Sequence, residues 1–127
     1  MGRSRGALSL GRAQRLRRPK EIQALFERGR RDERRSFLLL WQQGAATRRV
    51  AFTVSRRVGG AVERNRARRR MREAYRRCQH MQPRGVDVVF VGRPLALSLP
   101  FTKLEIEMSQ ALEALGRAVS GSRAERS

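Results

Sequence analysis

The chain carries far more positive charge than a small protein needs for solubility. Its 127 residues include 30 Lys and Arg against 11 Asp and Glu, which gives a formal net charge of +19. All but two of the basic residues are arginine, which binds phosphate through two parallel hydrogen bonds as lysine cannot. The composition therefore predicts one small domain that presents a basic surface to a polyanion, with nucleic acid the first candidate and an anionic membrane the competitor.

Several classes of protein are excluded by what the sequence lacks. No apolar run approaches the roughly 20 residues that a membrane-spanning helix needs, and the first twelve residues contain no apolar stretch of signal-peptide length. One cysteine, Cys78, and one histidine, His80, are too few for a disulfide or a structural zinc site. We expect a cytoplasmic protein with no metal site of its own and no membrane partner.

Hydrophobic periodicity predicts three main helices. Pro19 and Gly29 bracket a first helix, in which Ile22, Leu25 and Phe26 share one face. A second helix is predicted over residues 61–78. A third is predicted from Thr102, which forms a capping box with Glu105, and its last residues are expected to fray.

The segments between these helices are typical of strands. Apolar runs or alternation predict strands over residues 37–41, 50–55 and 86–91, and residues 30–35 are expected to be a short edge strand or a turn. Residues 92–100 are expected to be a loop. The order favours a single α+β sandwich. We expect a flexible basic arm over 1–13, a domain over 14–119 and a disordered tail over 120–127.

The second helix carries the strongest charge pattern. Residues 56–77 hold ten arginines against Glu63 and Glu73, a balance of +8. At 100° per residue, one outward ridge is formed opposite the apolar stripe by Asn65, Arg69, Arg72 and Arg76, with Arg66 and Arg68 beside it. Like charges at this spacing repel, and a bound polyanion would remove that repulsion. The glycine pair before the helix, 59–60, suggests a cradle for phosphate at the helix start.

Residues 56–69, RRVGGAVERNRARR, resemble the signature of the bacterial ribonuclease P protein subunit, with its RNR element at residues 64–66. Residues 15–26 resemble the first helix of that family, residues 50–55 its strand before the signature, and residues 88–94 a later strand and turn. The resemblance covers residues 14–116 in order and with matching spacing.

The resemblance implies an α-β-β-β-α-β-α fold with a small mixed sheet and a left-handed βαβ crossover, like the second domain of a small-subunit ribosomal protein. It also implies an endonuclease holoenzyme. The protein would join a catalytic ribonuclease P RNA, and the complex would remove the 5′ leader of precursor tRNA. The RNA would carry the active site and hold most of the Mg²⁺. No protein partner would be required.

The family's functional residues can be placed on this sequence. The positions that match its RNA-binding signature are Arg56, Arg57, Arg64, Asn65, Arg66, Arg68, Arg69, Arg72 and Arg76. The positions expected to line its cleft for the single-stranded leader are Ile22, Phe26, Leu40, Thr53 and Arg93. Ile22 and Leu40 replace aromatic side chains found in many members, which weakens base stacking. Gly60 replaces an asparagine, and Arg70 replaces an apolar residue.

The residues argue against catalysis by the protein alone. There is no pair of histidines for general acid–base chemistry, and the acids do not converge in sequence. Asp87, inside a predicted strand, is expected to pair with an arginine. The alternative function is a ribosomal or other structural RNA-binding protein, which fits the composition equally well. A DNA-binding role and a membrane-active helix are less favoured, because neither a helix-turn-helix partner nor a strong apolar stripe is present.

Overall fold

A computed structural model of the chain describes residues 14–44 and 48–126. It contains five strands and four helices. In chain order these are β1 (Gln14–Arg15), α1 (Pro19–Arg28), β2 (Arg30–Glu33), β3 (Phe37–Gln43), β4 (Arg49–Val54), α2 (Ala61–Cys78), β5 (Val86–Gly92), α3 (Pro94–Ser98) and α4 (Phe101–Arg126). Short 3-10 turns at Arg56–Val58 and Gln79–Met81 flank α2. The arm expected over 1–13 lies outside the described residues.

The strands form one mixed sheet in the order β1-β4-β5-β3-β2. The strand β3 is antiparallel to both β2 and β5, whereas β4 is parallel to both β5 and β1. Because β4 and β5 are adjacent and parallel, α2 is the crossover helix of a βαβ unit. The predicted α+β class is confirmed, and the predicted elements occur in the expected order; β1 and α3 are additional elements that the sequence did not predict. The left hand of the crossover stays a prediction.

One face of the sheet packs against α2 and α4. The apolar stripe predicted for α2 is confirmed, since Ala67, Met71, Ala74, Tyr75 and Cys78 are all buried. Below it lies an aromatic cluster formed by Phe37, Phe52, Tyr75 and Phe90, with ring centroids 5.3–5.7 Å apart. These contacts fix α2 on the sheet, and its remaining surface faces outward.

A buried polar network ties the end of α2 to the sheet. The Tyr75 hydroxyl lies 2.5 Å from Gln82 Oε1, and burial raises the pKa of Tyr75, so this hydroxyl keeps its proton. Gln82 Nε2 donates to the backbone oxygens of Arg49 at 3.1 Å and Val86 at 2.9 Å. Gln82 is only 2% exposed, and each of these groups has a partner. The network stabilises the close approach of α2 to β4 and β5.

The opposite face of the sheet is covered in part by α1. Leu25 of α1 is buried with Leu40 and Val89 of the sheet. An ionic bridge holds α1 in place, because the Arg49 guanidinium bonds Asp87 at 2.7 and 2.8 Å and Glu21 at 3.0 and 3.1 Å. The hydrogen bonds that Arg49 donates to Asp87 do most to raise the pKa of Arg49. The expected pairing of Asp87 with an arginine is confirmed.

Three local expectations were wrong. The segment expected to be a loop contains the helix α3, which begins at Pro94 and ends against α2. The helix α4 begins after Pro100, whose carbonyl accepts from Lys103 and Leu104. Thr102 therefore lies inside the helix and cannot cap it. The helix also continues to Arg126, past the expected start of a tail at residue 120.

We predict that Gln82→Leu lowers the free energy of unfolding by about 1–3 kcal/mol, because it leaves buried backbone oxygens and the Tyr75 hydroxyl without a partner. Urea denaturation measures the change. The exposed Gln42 of β3 is a matched control, and Gln42→Leu should change stability by about 0.5 kcal/mol or less. Equal effects of the two substitutions would show that the buried network does not stabilise the fold.

Candidate nucleic-acid interface

The outward face of α2 begins at a sharp backbone turn. Ser55 Oγ accepts from the Arg57 N–H at 3.2 Å and starts the 3-10 turn that carries Arg56 and Arg57. Gly59 follows with φ +137°, a conformation that residues with a Cβ rarely adopt. The turn places Arg56 and Arg57 beside the first residues of α2, at the same end of the molecule.

The predicted ridge is exposed. None of the nine side chains matched to the RNA-binding signature is buried, and Arg64 and Arg68 are half-buried. Arg68 donates to Asn65 Oδ1 at 2.6 Å, and Arg64 donates to the Gly59 carbonyl at 3.0 Å. These two bonds order the RNR element while its charge remains accessible.

Positive charge is least compensated in the first half of α2. Arg66 and Arg69 are exposed and form no ion pair within the described residues. Near the other end, Arg76 pairs with Glu73 at 2.6 Å. That bond lowers the pKa of Glu73 and raises the pKa of Arg76. The strongest attraction for a polyanion therefore lies beside Arg66 and Arg69.

The glycine pair does not form the open phosphate cradle that the sequence suggested. The Gly60 N–H donates to Glu63 Oε1 at 3.1 Å. This carboxylate occupies the first free donor of the helix and places negative charge where the phosphate was expected. A phosphate at this position would first have to displace Glu63.

Arg70 has a different role from its neighbours on α2. Its guanidinium donates to the carbonyls of Ala96 and Leu97 at 2.7 Å each, and to that of Leu99. These are carbonyls at the end of α3, so Arg70 caps that helix and joins it to α2. Burial, and then repulsion from Arg66, lowers the pKa of Arg70. Arg70, at a position where the family resemblance implies an apolar residue, thus stabilises the contact between α2 and α3.

A groove lies on the other face of the sheet, beside α1. Its floor is one cross-strand row in which Leu38 and Thr53 both pair with Val91. The groove has a volume of about 430 Å³ and is lined by Leu38, Ser55, Arg57, Val91, Arg93 and Pro94. The structure brings together at this groove Arg57, from the turn before α2, and Arg93, from the segment after β5.

The side chain of Arg93 is held by the hairpin between β2 and β3. It donates to the Arg34 carbonyl at 2.9 Å and lies 3.4 Å from Glu33. The backbone N–H of Arg93 donates to the Ser36 carbonyl at 2.9 Å. Arg93 is thus a fixed wall of the groove, whereas Arg57 is exposed and forms no ion pair among the described residues.

The predicted cleft residues divide between the groove and the core. Thr53 is half-buried on the groove floor, Ile22 is half-buried against the core under α1, and Phe26 is 41% exposed on α1. The placement of Leu40 in the cleft was wrong, because Leu40 is 0% exposed beneath α1.

Sequence reasoning missed Leu38, Ser55 and Val91 as groove residues. Alternation places Leu38 and Leu40 on the same face, so the pattern showed the correct face. It could not show which row α1 covers, because that depends on how the helix packs. Ser55 could have been found from its alternation with Thr53.

The acidic side chains of the described residues serve structural contacts. Glu105 lies 3.6 Å from Arg77, whereas Glu107 accepts from the Ser36 N–H at 2.9 Å. In the described part of the chain, no three His, Cys, Asp or Glu side chains converge to hold a metal ion. None of the helices described is both long and apolar enough to cross a membrane.

Comparison with known proteins identifies the family of this chain. The family model described as Ribonuclease P matches residues 10–116. The chain is 44% identical over 104 residues to the ribonuclease P protein component of Chloroflexus aurantiacus, covering 80% of this chain and 76% of the relative.

The chain belongs to the bacterial ribonuclease P protein family. A second relative, the ribonuclease P protein component of Symbiobacterium thermophilum, is 35% identical over 107 residues, which cover 83% of this chain and 93% of the relative. The family resemblance of the signature segment is thereby confirmed.

Solved structures share the fold. The ribonuclease P protein of Thermotoga maritima superposes with a TM-score of 0.70 at 25% identity, over 80% of this chain and 96% of that one. The Staphylococcus aureus protein gives a TM-score of 0.65 at 19% identity, over 82% of this chain and 96% of that one, which shows the common fold. The family's α+β architecture is therefore present here.

We predict opposite effects for two adjacent substitutions that remove the same charge. Arg70→Gln should lower the free energy of unfolding by about 1.5–3 kcal/mol, because charged hydrogen bonds to the α3 carbonyls are lost. Arg69→Gln should leave stability nearly unchanged but elute from immobilised heparin at lower salt than Arg70→Gln does. Thermal unfolding and the elution salt measure the two effects. Loss of stability in Arg69→Gln, with none in Arg70→Gln, would contradict these roles.

Proposed function

We propose that this protein is the protein subunit of a bacterial ribonuclease P, which joins a catalytic RNA and promotes removal of the 5′ leader from precursor tRNA. The observation that carries the proposal is the arginine ridge on the family's signature helix. The ridge is exposed, while the opposite stripe of the same helix is buried in the core. The helix is thus held rigidly on the sheet with its charge turned toward a partner.

The ridge supports binding to the catalytic RNA. Arg66 and Arg69 offer uncompensated guanidinium groups, and the hydrogen bond from Arg68 to Asn65 keeps the neighbouring side chains ordered. Arginine at such positions binds phosphate in a bidentate manner. In this proposal, Arg56, Arg57 and Arg64 extend the contact around the start of α2.

The groove beside α1 supports binding of the single-stranded leader. Leu38 and Val91 in its lining offer apolar contact to bases, and Arg57 offers charge to the phosphates. Thr53 lies beside Val91 as its partner on β4. Phe26 is exposed on α1 and provides an aromatic surface for stacking. The absence of other aromatic groups among the described lining residues predicts leader contact with little base preference.

The proposal assigns the chemistry of endonucleolytic cleavage to the RNA. Its Mg²⁺ would be held mainly by RNA phosphates, and the protein would be inactive alone. The protein's part is to bind the RNA and the leader, which reduces phosphate repulsion where the two meet. Such a complex would act in the cytoplasm on precursor tRNA.

Cleavage of precursor tRNA at low Mg²⁺ tests this function directly. We expect mature 5′ ends when a bacterial ribonuclease P RNA and this protein are combined, and much less product from the RNA alone. The measurement is the initial rate of leader release, resolved by gel electrophoresis. The physical reason is that bound arginines replace part of the cation requirement for bringing two RNAs together.

Protein alone is the control, and its expected rate is zero. Cleavage by the protein alone would contradict the assignment of catalysis to the RNA. Tight, salt-sensitive RNA binding without any stimulation would contradict the proposal and favour a ribosomal or other structural RNA-binding role.

We predict that the ridge, rather than total charge, determines affinity for the RNA. Arg66→Gln with Arg69→Gln should lower the slope of log affinity against log salt by about 1.5, since each lost phosphate contact removes about 0.7–0.9. Arg31→Gln with Arg35→Gln removes the same charge from the β2 edge and the following turn, where both side chains are exposed. Filter binding over a salt series measures both slopes. Equal changes in the two variants would show that total charge, rather than the ridge, determines affinity for the RNA.

A further inference from the structure

A second concave surface lies beyond the last turns of α2, at the edge of the sheet formed by β1. It has a volume of about 330 Å³, at the lower end of the range for sites that hold small ligands. Its rim is formed by four arginines, Arg15, Arg17, Arg72 and Arg76. Its floor is formed by Val50, Phe52 and Tyr75. No residue assigned to the leader groove takes part in it.

The pairing of β1 explains how arginines from the start of the domain reach α2. Leu16 donates its N–H to the Val50 carbonyl at 2.8 Å, and its side chain is buried toward α1. Because side chains alternate along an extended segment, Arg15 and Arg17 project to the opposite face, where α2 lies. The backbone of an edge strand thus fixes two guanidinium groups opposite Arg72.

The charges at this rim lack a counterion within the protein. Among the described residues, Arg15, Arg17 and Arg72 form no ion pair, whereas Arg76 is paired with Glu73. Burial lowers the pKa of Arg72, and repulsion from Arg15 and Arg68 lowers it further. Crowded, partly desolvated cations of this kind favour a bound anion, which would compensate both effects.

The floor adds an aromatic surface to the cationic rim. Phe52 is half-buried, with one side stacked on Phe90 at 5.5 Å and with the Arg72 guanidinium 5.8 Å from its ring centroid. The Tyr75 hydroxyl is turned away to Gln82, so the pocket floor is apolar. Arginine and aromatic planes together are the groups on which unpaired RNA bases stack.

We infer that this pocket binds one unpaired nucleotide of RNA, with its phosphate on Arg15, Arg17 and Arg72 and its base against Phe52. The inference rests on the proposed function, because it extends the RNA contact of the ridge around the end of α2 to β1. The pocket shares Arg72 and Arg76 with the ridge, whereas Arg15 and Arg17 belong to neither the ridge nor the groove and complete the site from the β1 edge.

Titration with three small probes tests the ligand class. Uridine 5′-monophosphate, ribose 5-phosphate and inorganic phosphate are each added to the full chain at low salt, and amide chemical shifts near Phe52 are followed by NMR. We expect the nucleotide to bind about 5- to 150-fold more tightly than ribose 5-phosphate, the range that stacking of one base supplies. Arg15→Gln with Arg17→Gln should weaken binding of the nucleotide and of ribose 5-phosphate by tenfold or more.

Equal affinity for all three probes would overturn the inference that the pocket binds a nucleotide, and would show that it binds only phosphate. If no probe changes the amide chemical shifts near Phe52, the inference that this pocket binds a ligand is overturned. Phe52→Leu should remove the advantage of the nucleotide while phosphate still binds. If that variant does not fold, the comparison of probes on the unaltered protein decides the question without it.

Binding to ribonuclease P RNA separates this inference from the proposed function. Arg15→Gln with Arg17→Gln should reduce the salt slope by about 1–2, whereas Arg31→Gln with Arg35→Gln at the opposite side of the sheet should not. If the pocket variant changes nothing while Arg66→Gln with Arg69→Gln weakens binding, the pocket inference fails and the proposed function stands. If neither variant weakens binding, both fail.

Discussion

The packing of α2 on the sheet is the contact on which both the core and the interface depend. An isolated helix with arginines at successive ridge positions is disfavoured by repulsion between them. Burial of the opposite stripe against Phe37, Phe52 and Phe90 provides stabilisation that is independent of charge. The same burial fixes the direction of the ridge, so the hydrophobic core determines which way the ridge arginines face. One side of α2 therefore contributes to the core, and its other side forms the proposed interface.

Arg49 connects this helix to the groove on the other side of the sheet. Its backbone carbonyl accepts from Gln82, which in turn meets Tyr75 of α2. Its guanidinium bonds Asp87 and the Glu21 carboxylate of α1. One residue of β4 thus takes part in the polar contacts of both layers. Because α1 covers part of the sheet face that holds the groove and α2 carries the ridge, these contacts link the two layers in which the proposed RNA contacts lie.

The sequence predicted those features that depend on a repeating pattern. The helix α2 is long enough for its 3.6-residue period to predict both the buried stripe and the ridge. Alternation along β4 likewise predicted which of its side chains face α2. Features set by packing between elements were missed. Leu40 and Leu38 share a face, and only the position of α1 decides that Leu40 is covered. The five residues of α3 are too few for a periodic signal, and their end is capped by Arg70 from a distant part of the chain.

The placement of the acidic residues explains why the arginines remain available. Glu21 and Asp87 are bound to Arg49, Glu107 accepts from Ser36, and Glu63 accepts from the start of α2. Each of these carboxylates is used where it joins two segments of the fold. They therefore contribute to stability without neutralising the outer face of α2 or the β1 edge. Among the described residues, exposed arginines without an ion pair therefore remain on the outer face of α2 and at the β1 edge. This distribution, rather than the value of +19 alone, favours an extended polyanion.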